Sequence, residues 1–234
     1  METCAISFID YGDTRGLFTF SLANATTKLK NKINFTHVLH QQGSNIAGNR
    51  NAILNVFVNG TDADWLLCLD TDIIFTPEQL ELLWETKSQD RQVVSGVYFI
   101  IRELNNVMPM VMPTIFQPTT LKQINTSERS FYHPLPVNEI VEISRAGFGF
   151  LLISRKVAEQ VLGLNLGNPF EERHDSVRAI VGEDFVFFEH LENLKIKSYA
   201  HTGIVVGHDK TIQIGYDYYK FYNDVVAPME VRFD

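Results

Sequence analysis

The clearest pattern in the chain is an apolar run at residues 65–69 that ends in the acidic turn Asp70-Thr71-Asp72. An unbroken run of this length is typical of a strand buried on both faces of a parallel or mixed sheet. Directly afterwards, Thr76, Pro77 and Gln79 supply an N-cap, a proline at the first helical position and a capping-box glutamine. The pattern therefore predicts a strand, an acidic turn and a helix in direct succession.

Short apolar runs and stretches of helical periodicity alternate along most of the chain. Further strands are predicted at residues 5–9, 35–40, 92–101, 141–144, 150–153, 195–199 and 204–206. Further helices are predicted at residues 17–30, 46–57, 155–162 and 185–194. Strands that alternate with helices indicate an α/β fold, in which ligands bind at the carboxyl ends of the strands.

Two carboxylates spaced i, i+2 lie at the predicted carboxyl end of the buried strand. Asp70 and Asp72 would repel each other at this distance unless a cation or a proton intervenes. A cation is therefore expected at this turn.

Arg50 projects within the apolar face of its predicted helix. Ile46, Ile53, Leu54 and Phe57 recur at helical spacing, and at about 100° per residue Arg50 falls inside the same arc. An arginine there keeps its charge and must find an anion. It is either internally ion-paired or directed, with Asn51 beside it, at a carboxylate or phosphate at the sheet edge.

Four other segments offer chemistry together with a purely structural explanation. The loop at residues 10–16 is a ligand-binding loop or an ordinary turn, and Gly147-Phe148-Gly149 opens the backbone for something to approach. Glu183 and Asp184 suit the positive end of a helix dipole, but adjacent acids favour a functional role. His208 follows a strand next to a glycine, a position that suits a metal ligand, although a lone histidine is more often structural.

The composition narrows the classes of protein. At 234 residues and 45% hydrophobic content, the chain can bury one core, so we expect one domain at 1–214, with an irregular loop at 102–138 and an aromatic tail at 215–234. A net charge of -8 argues against general binding to a nucleic-acid backbone. Two cysteines in apolar segments, no leader sequence and no long apolar run indicate a soluble, cytoplasmic protein.

Taken in order, these motifs resemble GT-A glycosyltransferases of the family 2 type. The resemblance rests on the first strand and its loop, Arg50-Asn51, the Asp70-Thr71-Asp72 "DxD" turn, the 94–98 strand, Gly147-Phe148-Gly149, Glu183-Asp184 and Gly207-His208. It covers residues 5–209 and implies a Rossmann-like, single-domain fold. In that fold a central, mostly parallel twisted sheet is flanked by helices, and the irregular loop and tail serve the acceptor.

The resemblance also implies a set of site residues. Asp70, Asp72 and His208 would hold Mn²⁺ or Mg²⁺ at the diphosphate of a nucleotide sugar, with a UDP-sugar favoured. The nucleotide sugar would be bound by Asp10, Tyr11, Asp13, Arg15, Arg50, Asn51 and Thr71. Gly147, Phe148 and Gly149 would lie at the donor or acceptor sugar.

The implied reaction is inverting displacement at the anomeric carbon by an acceptor hydroxyl. Asp184, or second to it Glu183, would be the general base. If the enzyme retains the anomeric configuration instead, the assignment of this base fails, whereas the assignment of the metal ligands stands. The acceptor stays open among a glycan, a lipid-linked sugar, a protein side chain and a modified nucleobase. The tail is expected to pack onto the domain or to form a homo-oligomer contact.

Three rival classes fit less well. A haloacid-dehalogenase-type phosphatase would require Thr or Val at the position of Ile74, and a sugar-phosphate nucleotidyltransferase would require a basic, glycine-rich loop where the chain has only Arg15. A non-catalytic sugar-binding module would not need the second acidic pair, Glu183-Asp184.

Overall fold

The computed structural model of the protein describes residues 1–104, 108–118, 130–164, 168–174, 180–211 and Lys220. In these residues the helices are α1 (Gly16–Leu29), α2 (Ile46–Gly60), α3 (Pro77–Thr86), α4 (Arg155–Leu162) and α5 (Glu183–Asn193). The strands are β1 (Thr3–Asp10), β2 (Asn34–Gln42), β3 (Trp65–Asp70), β4 (Ile73–Ile74), β5 (Val93–Val97), β6 (Phe99–Leu104), β7 (Met108–Pro113), β8 (Ile115–Phe116), β9 (Ile140–Ile143), β10 (Arg145–Ala146), β11 (Phe150–Ser154), β12 (Arg173–His174), β13 (Ile180–Val181), β14 (Ser198–Val205) and β15 (Gly207–His208).

Seven strands form the central sheet in the order β2-β1-β3-β11-β5-β14-β9. Strands β1, β2, β3, β5 and β14 run in one direction, whereas β11 and β9 run in the other. The predicted α/β fold with a mostly parallel central sheet is confirmed.

Both faces of the sheet are covered by helices. On β3, Leu66 and Cys68 face a core that contains side chains of α2, α4 and α5. The alternate residues Trp65, Leu67 and Leu69 face a second core, built with α1 and α3. Because side chains of a strand alternate between faces, burial on both sides explains why residues 65–69 are apolar without interruption.

The predicted strand at residues 92–101 is wrong as a single element. Its first half is β5 in the central sheet, and its second half is β6, which leaves the sheet to form an antiparallel ribbon with β7. The break falls at Tyr98, whose carbonyl accepts a hydrogen bond from the amide of Thr114 at 3.0 Å instead of continuing the β5 ladder.

The predicted separation of two strands at residues 195–199 and 204–206 is also wrong, since a single strand, β14, runs from Ser198 to Val205. Polar residues at 201 and 202 interrupt the apolar pattern, but they are buried at the edge of the sheet. Thr202 is held there by its amide, which donates to the carbonyl of Glu139 at 2.8 Å.

The two segments predicted to serve the acceptor are only partly described. Within 102–138, β7 pairs with β6 and β8 pairs with β10, whereas 105–107 and 119–129 lie outside the described residues. The 215–234 tail lies outside them as well, apart from Lys220. In the part of the chain that is described, no helix is both long enough and apolar enough to cross a membrane.

One edge of the sheet collects the candidate residues. Strands β1 and β3 are parallel and end together, with Ile9 opposite Asp70. Strand β11 runs the other way and begins at the same edge, where the amide of Asp70 donates to the carbonyl of Gly149 at 3.1 Å. The topology therefore brings the acidic turn and the glycine pair into contact, although they are far apart in the chain.

Candidate active site

Arg50 is the charged centre of the site. It projects from α2 toward the carboxyl end of β3, and its side chain is 12% exposed. Its Nη2 lies 3.3 Å from Asp70 Oδ1, and its Nε lies 3.3 Å from Glu183 Oε1. The core-facing arginine predicted from helical spacing therefore has two carboxylate partners, one from β3 and one from α5.

Phe148 supports Arg50 from behind. The guanidinium carbon lies 4.7 Å from the centroid of the Phe148 ring, an arrangement that favours a cation. The ring is 2% exposed and packs against Phe170, Phe187 and Phe188. In this structure the ring supports Arg50, and the contact of Phe148 with the donor or acceptor sugar stays a prediction.

Asp184 is the candidate acid for which the described residues provide no ion pair. Glu183 and Asp184 begin α5, as predicted, but only Glu183 reaches Arg50. Burial, followed by the nearby charge of Glu183, raises the pKa of Asp184 to about 6, although Arg50 opposes the rise. Asp184 Oδ1 accepts a hydrogen bond from the amide of Phe185 at 2.8 Å. This carboxyl is therefore suited to exchange a proton near neutral pH.

Asp72 and His208 form a second centre. Antiparallel pairing of β15 with β4 places His208 Nε2 3.3 Å from Asp72 Oδ2. His208 Nδ1 lies 2.7 Å from the carbonyl of Phe99, which directs the other ring nitrogen at Asp72. Burial raises the pKa of Asp72, but hydrogen bonds from His208 and Lys210 outweigh it and hold the pKa at about 2. Asp72 is therefore a charged carboxylate at neutral pH.

This pair fits a hard divalent ion. A carboxylate oxygen and an imidazole nitrogen are suitable ligands for Mn²⁺, and a hydrogen bond to the second ring nitrogen is the usual support of a metal-binding histidine. Among the described residues, no group of three or more His, Cys, Asp or Glu side chains converges to hold a metal. Asp72 and His208 would therefore supply only part of the ligand set of such an ion.

Asp70 lies apart from this pair in its contacts. One of its oxygens faces Arg50, and the other would be 3.1 Å from a Cβ placed at Gly149. Burial raises the pKa of Asp70, and Arg50 opposes that rise. The two acids of the turn therefore differ, because Asp70 faces α2 and β11 whereas Asp72 faces β15.

The glycine pair has a structural cause in Tyr98. A Cβ at Gly147 would lie 2.0 Å from the Tyr98 hydroxyl oxygen, and one at Gly149 would lie 3.1 Å from the Tyr98 ring. The amide of Gly149 donates to this hydroxyl at 3.3 Å, and the Tyr98 ring packs edge-on against His208 at 4.9 Å. The glycines admit a buried tyrosine that joins the two centres.

The loop after β1 lies beside the second centre. Arg15 Nη1 contacts Asp209 Oδ2 at 3.0 Å, and Thr71 Oγ1 donates to the carbonyl of Ile9 at 3.3 Å. Tyr11 is 68% exposed, so its ring is free to contact a ligand. Asp13 is exposed as well.

Asp10 and Asn51 have partners within the protein. A hydrogen bond from the amide of Gly12, and then His40 Nε2 at 2.6 Å, lower the pKa of Asp10. Asn51 exchanges two hydrogen bonds with the backbone of Phe170, at 2.7 and 3.0 Å. Its amide therefore fastens the segment at residues 168–174 to α2, rather than pointing at the sheet edge with Arg50.

Three residues of the site were not identified from the sequence as candidates in their own right. Tyr98 and His40 lie at or just after the ends of strands, where the α/β topology itself marks ligand positions. Lys210 forms an ion pair with Asp72 and follows His208 by two residues. In extended chain that spacing puts two side chains on the same side, which is the signal that could have identified it.

Comparison with known proteins bears on the family and the fold. The family described as Glycosyl transferase family 2 matches residues 21–162, a segment that includes Arg50 and both acids of the turn but neither Asp184 nor His208. No curated protein matches the chain. The crystal structure of A197 from STIV is similar over 90% of this chain and 87% of that one, with 20% identity and a TM-score of 0.54, a likeness that shows the fold alone. Since the family match spans more than half of the sequence, the chain belongs to glycosyl transferase family 2 and is a glycosyltransferase.

Proposed function

We propose that the protein transfers a sugar from a UDP-sugar to an acceptor hydroxyl by direct, inverting displacement, with Mn²⁺ or Mg²⁺ bound at Asp72 and His208. The observation that carries this proposal is the division of the acids between two centres. Asp72 is charged and paired with an imidazole, whereas Asp184 is half-buried with a pKa of about 6. Leaving-group stabilisation and proton removal require these two different environments.

Asp72 and His208 would hold the ion, and the donor diphosphate would supply further ligands. Divalent ions of this class are commonly bound by one or two protein carboxylates together with substrate phosphates. When bound, the ion neutralises the charge that develops on the departing diphosphate. Asp70, the third ligand expected from the resemblance, is proposed here as the acid that holds Arg50 beside the donor, because its nearest cation is that arginine.

Asp184 would take the proton of the acceptor hydroxyl. Its pKa of about 6 leaves it mostly ionised at neutral pH while keeping it a stronger base than an ordinary aspartate. Glu183 is less suited to this role, because its Oε1 lies 3.3 Å from Arg50 Nε and is engaged in that ion pair. Arg50 and Glu183 are then positioning residues that hold the base beside the sheet edge.

The donor nucleotide would lie along the ends of β1 and β2. Asp10 is supported there by His40, Tyr11 offers an exposed ring for stacking, and Arg15 adds a cation close to Asp72. Asp13 lies in the same loop, and Thr71 is hydrogen-bonded to the carbonyl of Ile9 near the end of β1. We retain these residues as the nucleotide-sugar contacts.

The acceptor would enter from the side of the β6–β7 ribbon. This ribbon begins at the second centre, since His208 is hydrogen-bonded to Phe99, the first residue of β6. The proposed organisation is one domain at 1–214, with 102–138 as the acceptor side and the 215–234 tail as a packing or homo-oligomer segment. A glycan, lipid-linked sugar, protein side chain or modified nucleobase would each supply the required hydroxyl.

A donor panel tests the proposal. The protein is incubated with Mn²⁺ and a set of UDP- and GDP-sugars, and both thermal stabilisation and slow release of nucleoside diphosphate are measured. We expect a UDP-sugar to raise the melting temperature and to be hydrolysed slowly, with both effects removed by EDTA. Absence of any response to all nucleotides and nucleotide sugars would contradict the proposal. If the response persists in the presence of EDTA, the metal dependence in the proposal is wrong.

A further inference from the structure

Lys210 occupies the cation position of the second centre. The segment after β14 crosses the acidic turn, where His208 is paired with Ile73 and the amide of Asp209 donates to the carbonyl of Asp72 at 2.8 Å. The ammonium of Lys210 contacts Asp72 Oδ2, the same oxygen that lies 3.3 Å from His208 Nε2.

Alternate side chains along this extended segment face different partners. His208 and Lys210 face Asp72, while the intervening Asp209 faces Arg15, whose Nη1 lies 3.0 Å from Asp209 Oδ2 and 2.6 Å from its carbonyl oxygen. The contact with Arg15 holds the backbone of Asp209, the residue that precedes Lys210. The long side chain of Lys210 remains 46% exposed, so it can leave Asp72 without disturbing this backbone.

An ammonium and a divalent ion cannot share this oxygen without cost. Both would lie within a few ångströms of each other on one carboxylate, and like charges at that distance repel. A metal bound by Asp72 and His208 must therefore displace Lys210. The displaced ammonium then needs another anion, and the diphosphate of a donor bound at the same turn is the nearest one that the reaction supplies, with lysine well suited to phosphate as a point charge.

We propose that Lys210 is an exchangeable internal cation, which holds Asp72 while metal and donor are absent and transfers to the donor diphosphate when they bind. This inference rests on the proposed function, because it takes the metal position from it. It assigns Lys210 a positioning role toward the leaving group that none of the candidate residues considered above fills. It also predicts opposite effects of Lys210 on the two ligands of the site.

The test uses Lys210→Met and measures binding rather than turnover. Mn²⁺ affinity is measured without nucleotide, by electron paramagnetic resonance of the free ion. UDP affinity is measured calorimetrically at saturating Mn²⁺. Because the ion pair is half-exposed, we expect the variant to bind Mn²⁺ up to about tenfold more tightly. We expect it to bind UDP several-fold more weakly, since an exposed phosphate contact is lost.

Lys197→Met is the matched control, since Lys197 forms an exposed ion pair with Glu142 elsewhere on the sheet. It should change neither affinity. In an Asp72→Asn background, Lys210→Met should no longer raise Mn²⁺ affinity, because the competition requires the carboxylate. If the role of Lys210 is purely structural, Lys210→Met should weaken the binding of both Mn²⁺ and UDP. That result would overturn the inference.

The two proposals fail in different ways. If the wild-type protein binds Mn²⁺ and UDP but Lys210→Met leaves both affinities unchanged, only the role of Lys210 is wrong. If neither protein binds Mn²⁺ with or without UDP, the metal position itself is wrong, and the inference falls with it.

Discussion

Arg50 offers the most informative perturbation, because a buried cation there balances acids from two elements. Arg50→Met keeps most of the side-chain length and its packing on Phe148 but removes the charge. Asp70 and Glu183 then lose the partner that each contacts at 3.3 Å. The pKa values of Asp70 and Asp184, which Arg50 lowers, should rise further above their ordinary range.

The magnitude follows from burial. Removing one member of a buried ion pair costs about 3–5 kcal/mol, because the remaining charge is left in a poorly solvated site. Arg50 and Glu183 are 12% and 15% exposed, but Asp70 is 35% exposed and stays partly hydrated. We therefore expect the lower end of the range, about 3 kcal/mol at pH 8. For a protein of this size that corresponds to a fall in melting temperature of about 6–12 °C.

The loss should depend on pH with a defined sign. An acid whose pKa is raised on folding binds protons more tightly in the folded state, so stability rises as pH falls through that pKa. In the variant, the pKa values of Asp70 and Asp184 are raised further than in the wild type, because Arg50 no longer opposes the rise. The loss of stability of the variant relative to wild type should therefore be smaller at pH 5 than at pH 8.

Thermal or urea unfolding of both proteins at pH 5, 6.5 and 8 measures this difference. Lys197→Met is again the control, and loss of its exposed ion pair should change stability by less than about 0.5 kcal/mol. A melting temperature within about 2 °C of wild type, which corresponds to less than about 1 kcal/mol, would refute the reasoning. A loss of stability that is equal at all three pH values would also refute it.

Three further predictions address other parts of the site. Gly147→Ala should destabilise the protein by about 1–3 kcal/mol, because the new Cβ would meet the Tyr98 hydroxyl. Adding Tyr98→Phe should recover part of this loss in urea unfolding. Equal stability of the single and double variants would contradict the account. Asp184→Asn should be more stable than wild type by about 1–3 kcal/mol at pH 8, because charging an acid with a pKa of about 6 costs stability above that pH. This gain in stability should vanish toward pH 4. A gain that persists there would point to another cause. Asn51→Ala should cost about 1–3 kcal/mol through two lost hydrogen bonds to Phe170; UDP affinity should be unchanged in calorimetry, and a large loss would restore Asn51 as a nucleotide contact.

Local patterns in the sequence were sufficient for most of the scaffold. The run at 65–69 indicated a strand buried on two faces, and Thr76 with Gln79 forms the predicted capping box. Helical spacing also placed Arg50 on the core-facing side, where its anions proved to be the candidate carboxylates themselves. These features depend on neighbours along the chain, so spacing alone reveals them.

Features that depend on distant pairings were not accessible in the same way. The i, i+2 spacing of Asp70 and Asp72 does not show which acid faces Arg50 and which faces His208, because the strand ends between them. The glycine pair suggested space for a ligand, whereas Tyr98, from another strand, fills it. Lys210 reaches Asp72 only through the pairing of β15 with β4.

The division of the acids between metal and proton transfer is the central claim, and Asp184→Asn tests it most directly. Mn²⁺-dependent UDP affinity and transfer from the UDP-sugar identified in the donor panel are measured side by side for wild type and variant. We predict UDP affinity within about twofold of wild type and a fall in transfer of about 100-fold or more, the usual range for loss of a general base. Loss of UDP binding in parallel with transfer would make Asp184 a ligand, and retained transfer would remove it from the mechanism.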